Sequence, residues 1–233
     1  MKPVIGIIAT PYVNKDGSKI YQISDKMVKW VLKYGGVPIS IIPTQIISFY
    51  DNKLSDIKEM SDYEKDSLIK IINMCDGIIK PGAFRIYNHE RFIYEYATEN
   101  NIPFLGICAG CQLMASYKKE KIENEKNIDS SHYSEEEYVH SVKINKDTKL
   151  YSILEKEEIM VNSFHNVHMK DSGINKISAM SPDGIIEGIE NEDKDFNIGL
   201  QWHPELTSFD DINSGKIFTA FLKACEHYHE NKY

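Results

Sequence analysis

Three side chains in this sequence have the types and settings of a nucleophilic site: Cys108, His203 and Glu205. Cys108 follows an apolar run, Ile102 to Ile107, which reads as a short buried strand, and Gln112-Leu-Met-Ala after it reads as the start of a helix. A thiol between two glycines, Gly106 and Gly110, at a strand-to-helix turn is the cysteine form of a nucleophile elbow. The glycines allow a turn too tight for a Cβ. The turn lifts the sulfur out of the sheet, and the N–H groups and positive end of the following helix favour thiolate, the form that attacks. By itself the pattern fits a small buried structural cysteine about as well.

A cysteine nucleophile needs a base to take its proton and a third group to orient that base. Gly199-Leu-Gln-Trp-His-Pro-Glu offers both. An apolar strand delivers His203 at its carboxyl end, where sites form in parallel sheets. Glu205 lies two residues on, and Pro204 stiffens the link so that the carboxylate curls back to the imidazole. Lys80-Pro81-Gly82-Ala83-Phe84, after the strand Gly77 to Ile79, is a small-residue turn able to aim a backbone N–H at a developing oxyanion, with the Ala109 amide as second donor. Singly, His203 reads as a structural histidine, Glu205 as a solvated acid and Pro81-Gly82 as an ordinary turn. Together they favour a site. His165 and His168 have a helix-like ligand spacing, but no carboxylate or cysteine cluster accompanies them in sequence, so no metal is expected.

The elements that must carry these residues alternate. Pro3 to Ala9 reads as a strand, Asp25 to Tyr34 as a helix capped by Ser24 with Met27, Val28, Val31 and Leu32 at helical spacing, and Val37 to Ile42 as a second strand. Tyr63 to Met74 reads as a helix with Leu68, Ile71 and Ile72 inward, Cys75 to Ile79 as a strand, and His89 to Glu99 as a helix before the elbow strand. This alternation predicts an α/β three-layer sandwich with a mostly parallel central sheet. Strands at Tyr138 to Ile144, Ile159 to Phe164, Lys176 to Met180, Ile185 to Glu190 and Phe196 to Trp202 follow, with a polar connection around Leu150 to Leu154 and a turn at Ser181-Pro-Asp-Gly. They add a small antiparallel C-terminal sheet, and Asn213 to Tyr228 is a closing amphipathic helix carrying Ile217, Phe218, Phe221 and Leu222. Ser48 to Asp62 reads as irregular. Lys118 to Glu137, dense in Lys, Glu, Ser and Asn, reads as a surface loop, either a flap over the site or a plain connector.

With 233 residues, no internal repeat and no linker, residues 1–233 read as a single domain. A net charge of −8 without a basic cluster excludes a nucleic-acid partner. No stretch approaches a membrane span, and the N-terminal apolar run is too short for a signal peptide. The four cysteines (Cys75, Cys108, Cys111, Cys225) are no disulfide framework, and reduced thiols in the cytoplasm are expected. Cys108 and Cys111 form a C-x-x-C pair, which the glycines make a better elbow than a dithiol.

Taken in order, these segments resemble the class I glutamine amidotransferase-like superfamily, whose fold is flavodoxin-like, and within it the gamma-glutamyl-gamma-aminobutyrate hydrolase group. Lys2-Pro-Val-Ile-Gly-Ile, Asp76-Gly-Ile-Ile-Lys-Pro-Gly, Pro103-Phe-Leu-Gly-Ile-Cys-Ala-Gly-Cys-Gln, Val161-Asn-Ser-Phe-His, Ser181-Pro-Asp-Gly-Ile-Ile-Glu-Gly-Ile-Glu and Gly199-Leu-Gln-Trp-His-Pro-Glu carry the likeness over nearly the whole chain. The resemblance implies a Cys108, His203, Glu205 triad that hydrolyses gamma-glutamyl amides through a gamma-glutamyl thioester. It implies an oxyanion hole from Gly82, Ala83 and Ala109, a substrate pocket lined by Gln112, Asn162, Ser163 and His165, a small-molecule substrate, and no metal or organic cofactor.

The sequence departs from the group at several places near the substrate. Gly82-Ala83 replaces two glycines, Arg85 replaces an acid, Ala109 replaces the usual Arg after the nucleophile, and Asn166-Val167 replaces His-Gln. Tyr117 to Glu123 is Lys- and Glu-rich where a Gly-Gly segment is usual. Three readings follow: a free-standing gamma-glutamyl hydrolase, a glutaminase subunit feeding ammonia to a partner synthase, or a non-catalytic binding protein on the same fold. A second copy of the chain is a further candidate partner.

Overall fold

The structure, a computed structural model, describes residues 1–47, 49, 59–119, 124–126 and 132–232. The chain opens with β1 (Val4–Ile8), β2 (Thr10–Val13), β3 (Lys19–Gln22), α1 (Asp25–Lys33) and β4 (Val37–Ile41). It continues with α2 (Asp62–Ile72), β5 (Gly77–Lys80), α3 (Asn88–Glu99), β6 (Phe104–Ile107) and α4 (Ala109–Ala115). β7 (Asn124–Lys126), β8 (His140–Ile144), α5 (Lys149–Leu154), β9 (Glu158–Val161) and β10 (Val167–Met169) come next. β11 (Lys176–Met180), β12 (Ile186–Glu190), β13 (Asn197–Leu200), a short 3-10 turn at Pro204–Leu206 and α6 (Ile212–Lys232) close it.

One nine-stranded sheet runs β4-β1-β5-β6-β13-β12-β11-β8-β9. The strands from β4 to β13 pair in parallel, as the alternation predicts. The expected antiparallel strands are hydrogen-bonded onto the β13 side of that sheet and continue it. Two separate antiparallel ribbons, β2–β3 and β7–β10, accompany it.

Strand pleating divides the core into two faces. Ile79, Leu105, Ile107, Ile198 and Leu200 pack with Trp30 and Val31 of α1 and Phe218, Phe221 and Leu222 of α6. Ile78 and Phe104 turn the other way onto Leu68 and Ile72 of α2, Ile93 and Tyr94 of α3, and Met114 of α4. The result is helix, sheet, helix, with no helix among the described residues long and apolar enough to cross a membrane.

Several local expectations need correction. Ser24 takes the N-cap position of α1, but its side chain makes no cap bond. Leu32 is exposed and Trp30 is buried, because the ring stacks on Phe218 at 5.0 Å and fixes which stripe of α1 faces inward. The connection around Leu150 to Leu154 is the helix α5. Thr148 caps it by accepting from Tyr151 N at 3.1 Å, and the Glu190 carboxylate accepts from Lys149 N and Leu150 N. The β2–β3 hairpin was missed although Asp16-Gly17 sits at its turn, with Gly17 at φ 85°. Ser48 to Asp62 falls mostly outside the described residues. So does much of Lys118 to Glu137, but Asn124–Lys126 in it pairs with β10 and His132 is buried.

Candidate active site

Strands β5, β6 and β13 are neighbours in the sheet, and each ends at one part of the site. β6 ends at Cys108, β13 leads to His203, and β5 ends at the Pro81-Gly82-Ala83 turn. The Cys108 N–H donates to Leu200 O at 2.7 Å, so the strand that carries the histidine also holds the cysteine's backbone.

Cys108 has φ 52° and ψ −105°, a conformation a side-chain-bearing residue adopts only when its surroundings impose it, at a cost of about 1–3 kcal/mol. What imposes it is the close seat of α4. Gly106 and Gly199 lie side by side in register. A Cβ on Gly106 would stand 2.6 Å from Met114 Sδ, and one on Gly199 2.9 Å from Cys111 Sγ. A Cβ on Gly110 would stand 2.3 Å from Lys80 O. The elbow glycines therefore serve close packing, and the strained residue is the cysteine itself.

His203 Nδ1 lies 2.8 Å from Glu205 Oε1, and its other side hydrogen-bonds to Cys108. All three side chains are buried. Burial works against a charged His203, but the Glu205 carboxylate and the hydrogen bonds to Cys108 and Glu205 outweigh it and hold the imidazole well above its ordinary range. Burial pushes Cys75 up to about 12 and Cys111 and Cys225 well above the usual thiol range.

Gly82 faces this pair. A Cβ there would lie 2.6 Å from His203 Cε1 and 3.4 Å from Cys108 Cβ. The N–H groups of Gly82, Ala83 and Ala109 meet no backbone acceptor among the described residues, and Ala109 opens a helix, where such donors are left over. The turn is braced by a group that sequence reasoning missed. Lys80, fully buried, pairs with buried Glu90 at 3.2 Å and donates to Pro81 O at 3.0 Å. The signal was a lysine at the end of an apolar strand.

The expected pocket residues are engaged with the protein. Asn162 clasps the His203 backbone: its Oδ1 accepts from His203 N at 2.8 Å and its Nδ2 donates to His203 O at 2.7 Å. Ser163 Oγ donates to His132 O at 3.0 Å, and His165 Nδ1 donates to Val167 O at 3.2 Å. Gln112, one turn after Cys108, donates to Gln201 Oε1 and Val167 O and accepts from Asn124. Trp30 and Phe164 were also missed. Trp30 Nε1 donates to Glu205 O at 3.2 Å, and the Phe164 ring stands edge-on to His203 at 6.0 Å.

A mixed sheet with helices on both faces and this elbow at its strand ends is the glutamine amidotransferase fold. The glutaminase domain of Trypanosoma brucei CTPS has it, with a TM-score of 0.66 at 17% identity over 97% of this chain and 94% of that one. The chain belongs to the Peptidase C26 family, which it matches over residues 3–205, and it is a glutamine amidotransferase-like hydrolase of amide bonds. It is similar to protein NtpR of Enterococcus hirae, 28% identical over 96% of this chain and 99% of that protein. It is also similar to the gamma-glutamyl-gamma-aminobutyrate hydrolase PuuD of Escherichia coli, 26% identical over 97% of this chain and 94% of that protein.

Proposed function

We propose that residues 1–233 form one domain that hydrolyses gamma-glutamyl amide bonds of small molecules, with Cys108 as nucleophile, His203 as acid and base, and Glu205 as the group that orients His203. The observation that carries this reading is the imidazole held between the Cys108 thiol and the Glu205 carboxylate. The Cys108 sulfur attacks the gamma-carbonyl carbon, and the carbonyl oxygen takes up negative charge opposite the N–H groups of Gly82, Ala83 and Ala109. Each such donor contributes on the order of 100-fold to 1000-fold in rate. Collapse expels the amine, which takes a proton from the His203 imidazolium, and leaves a gamma-glutamyl thioester. His203 then takes a proton from water, the hydroxide attacks the thioester, and glutamate and the thiol are released. The similarity to PuuD over nearly the whole chain supports this substrate class.

A second reading is a glutaminase subunit serving a partner synthase. The likeness to the CTPS glutaminase domain supports it.

Glutamate release by the purified chain alone, from glutamine and a panel of gamma-glutamyl amines, tests both, with Cys108→Ala as control. Cys108-dependent release is expected for the hydrolase. Silence with Cys108 still readily alkylated at neutral pH favours the subunit. Silence with an inert Cys108 overturns both and leaves a non-catalytic binding protein.

A further inference from the structure

Away from the cysteine, three histidines converge on one carboxylate oxygen. Glu187 Oε1, on β12 and fully buried, lies 3.3 Å from His132 Nδ1, 3.5 Å from His165 Nε2 and 3.7 Å from His140 Nε2. These are ion-pair distances, and neither Glu187 oxygen nor His140 Nε2 meets hydrogen-bond geometry. We propose that His132, His140 and Glu187, bordered by His165, form a buried binding site for a zinc ion.

The tautomers carry the argument. His140 Nδ1 lies 3.1 Å from Ser141 O and His165 Nδ1 3.2 Å from Val167 O; a carbonyl only accepts, so both Nδ1 atoms hold hydrogen. His132 Nε2 lies 3.0 Å from an oxygen of Asp183, a carboxylate that also accepts. The neutral His140 and His165 rings have then spent their one N–H facing outward and turn a lone pair toward Glu187, and His132 turns its Nδ1 the same way. Ser163 Oγ, 3.4 Å from His132 Nδ1, spends its hydrogen on His132 O at 3.0 Å. Lone pairs aimed at a buried anion repel it unless positive charge stands between them. One divalent cation satisfies His132, His140 and Glu187 together, whereas a proton shared between His132 and Glu187 pairs that one ring and leaves the His140 lone pair facing the carboxylate.

The distances fit zinc. Bonds of about 2.0–2.1 Å in a tetrahedron set neighbouring ligand atoms about 3.3 Å apart. The ligand atoms of His132, His140 and Glu187 all lie within 4.8 Å of one another. The outward contacts to Asp183, Ser141 and Val167 are the outer partners that a metal-bound imidazole uses to fix its orientation. Three ligands come from the protein, and His165 Nε2, 3.5 Å from Glu187 Oε1, borders the site. The ion would tie β12, β8, the segment at His132 and the β9–β10 connection into one unit, next to Gln201, whose N–H donates to Glu187 O at 2.7 Å. His168, by contrast, faces Glu125 at 4.0 Å on the β7–β10 ribbon, so it is not part of the cluster.

The test uses the full chain, stripped of metal with a chelator and titrated with Zn2+ and, as a spectroscopic probe, Co2+. One equivalent bound, strong visible Co2+ bands of tetrahedral type and a rise in Tm with Zn2+ are expected. His140→Ala and Glu187→Gln are each expected to lower Zn2+ affinity at least about 100-fold, since loss of a mere outer partner costs 10–100-fold. Folded wild-type protein that binds no Zn2+, or binds Co2+ only with weak six-coordinate bands, overturns the proposal. So does binding undiminished in both variants, which would place the metal elsewhere. The wild-type arms decide by themselves if a variant does not fold.

Discussion

Asn162 and His203 hold each other through a closed pair of hydrogen bonds, His203 N to Asn162 Oδ1 at 2.8 Å and Asn162 Nδ2 to His203 O at 2.7 Å. The side chain of a residue between β9 and β10 thus does for the His203 backbone what a neighbouring strand would. β13 ends at Leu200, so without Asn162 the three-residue path to His203 loses this anchor. Asn162→Ala leaves a buried donor and a buried acceptor unpaired, at about 1–3 kcal/mol each. A lower Tm and a fall in kcat of at least tenfold are expected, with a smaller change in KM. An unchanged kcat would show that His203 holds its place without the clasp.

Gly82 and Gly110 separate a catalytic from a structural need for glycine. At Gly82 an added methyl meets the His203 ring at 2.6 Å, and the ring must turn. Gly82→Ala is expected to fold with a Tm near that of wild type and to lose about 100-fold in kcat, the scale of a misplacement near 1 Å. At Gly110 the methyl meets the Lys80 carbonyl at 2.3 Å, backbone that cannot turn aside. Gly110→Ala is expected to lose stability by about 1–3 kcal/mol, read by denaturant unfolding. If Gly82→Ala kept full turnover, the turn would not be packed against the working histidine.

How much of this was legible follows from what kind of signal each residue gives. Cys108, His203 and the Gly82 turn sit at the ends of short apolar strands, and strand periodicity with punctuation by glycine and proline is local, so their placement at the strand ends could be read from the chain. The antiparallel strands were also legible, but their attachment to β13 was not, because pairing order is a long-range matter that no window reports. Asn162 was placed at the pocket by the family resemblance alone; its contact with His203 spans 41 positions, which no local pattern reports. Trp30 was passed over for Leu32 for a similar reason, since helical spacing leaves the inward stripe uncertain by a residue and the stacking on Phe218 decides it. α5 had its signals, Thr148 as cap and Leu150 and Leu154 one turn apart, and the charged residues on either side of so short a segment hid it.

His89 gives a pH dependence with a definite sign. It is fully buried beside the Lys80–Glu90 pair. Burial lowers its pKa to about 4 from 6.5; the Glu90 charge opposes the shift and Lys80 adds to it. The unfolded chain takes up this proton near pH 6.5 and the folded chain only near 4, so His89's contribution is present above 6.5 and is lost as pH falls toward 4. The loss over that window is about 3 kcal/mol. His89→Phe is expected to flatten the stability profile between those two pH values relative to wild type. Parallel profiles from chemical denaturation would mean that His89 is charged in the folded protein.

Glu205→Gln tests the orienting carboxylate without changing its size. Glu205 is what chiefly raises the His203 pKa against burial. An amide there can donate to Nδ1 and leave the proton on Nε2, the nitrogen that must receive one from Cys108. Loss of about 10 000-fold in kcat is expected by analogy with the serine triad. Alkylation of Cys108 by iodoacetamide at neutral pH, which needs no known substrate, is expected to slow as well, and the three remaining thiols are too buried to compete. The stability profile gives a second readout. A histidine raised in the folded state stabilises below its unfolded pKa and loses that contribution as pH rises through the folded one, so the excess stability of wild type over Glu205→Gln is expected to shrink on the alkaline side. Alkylation at the wild-type rate in Glu205→Gln would show that His203 activates Cys108 without the carboxylate.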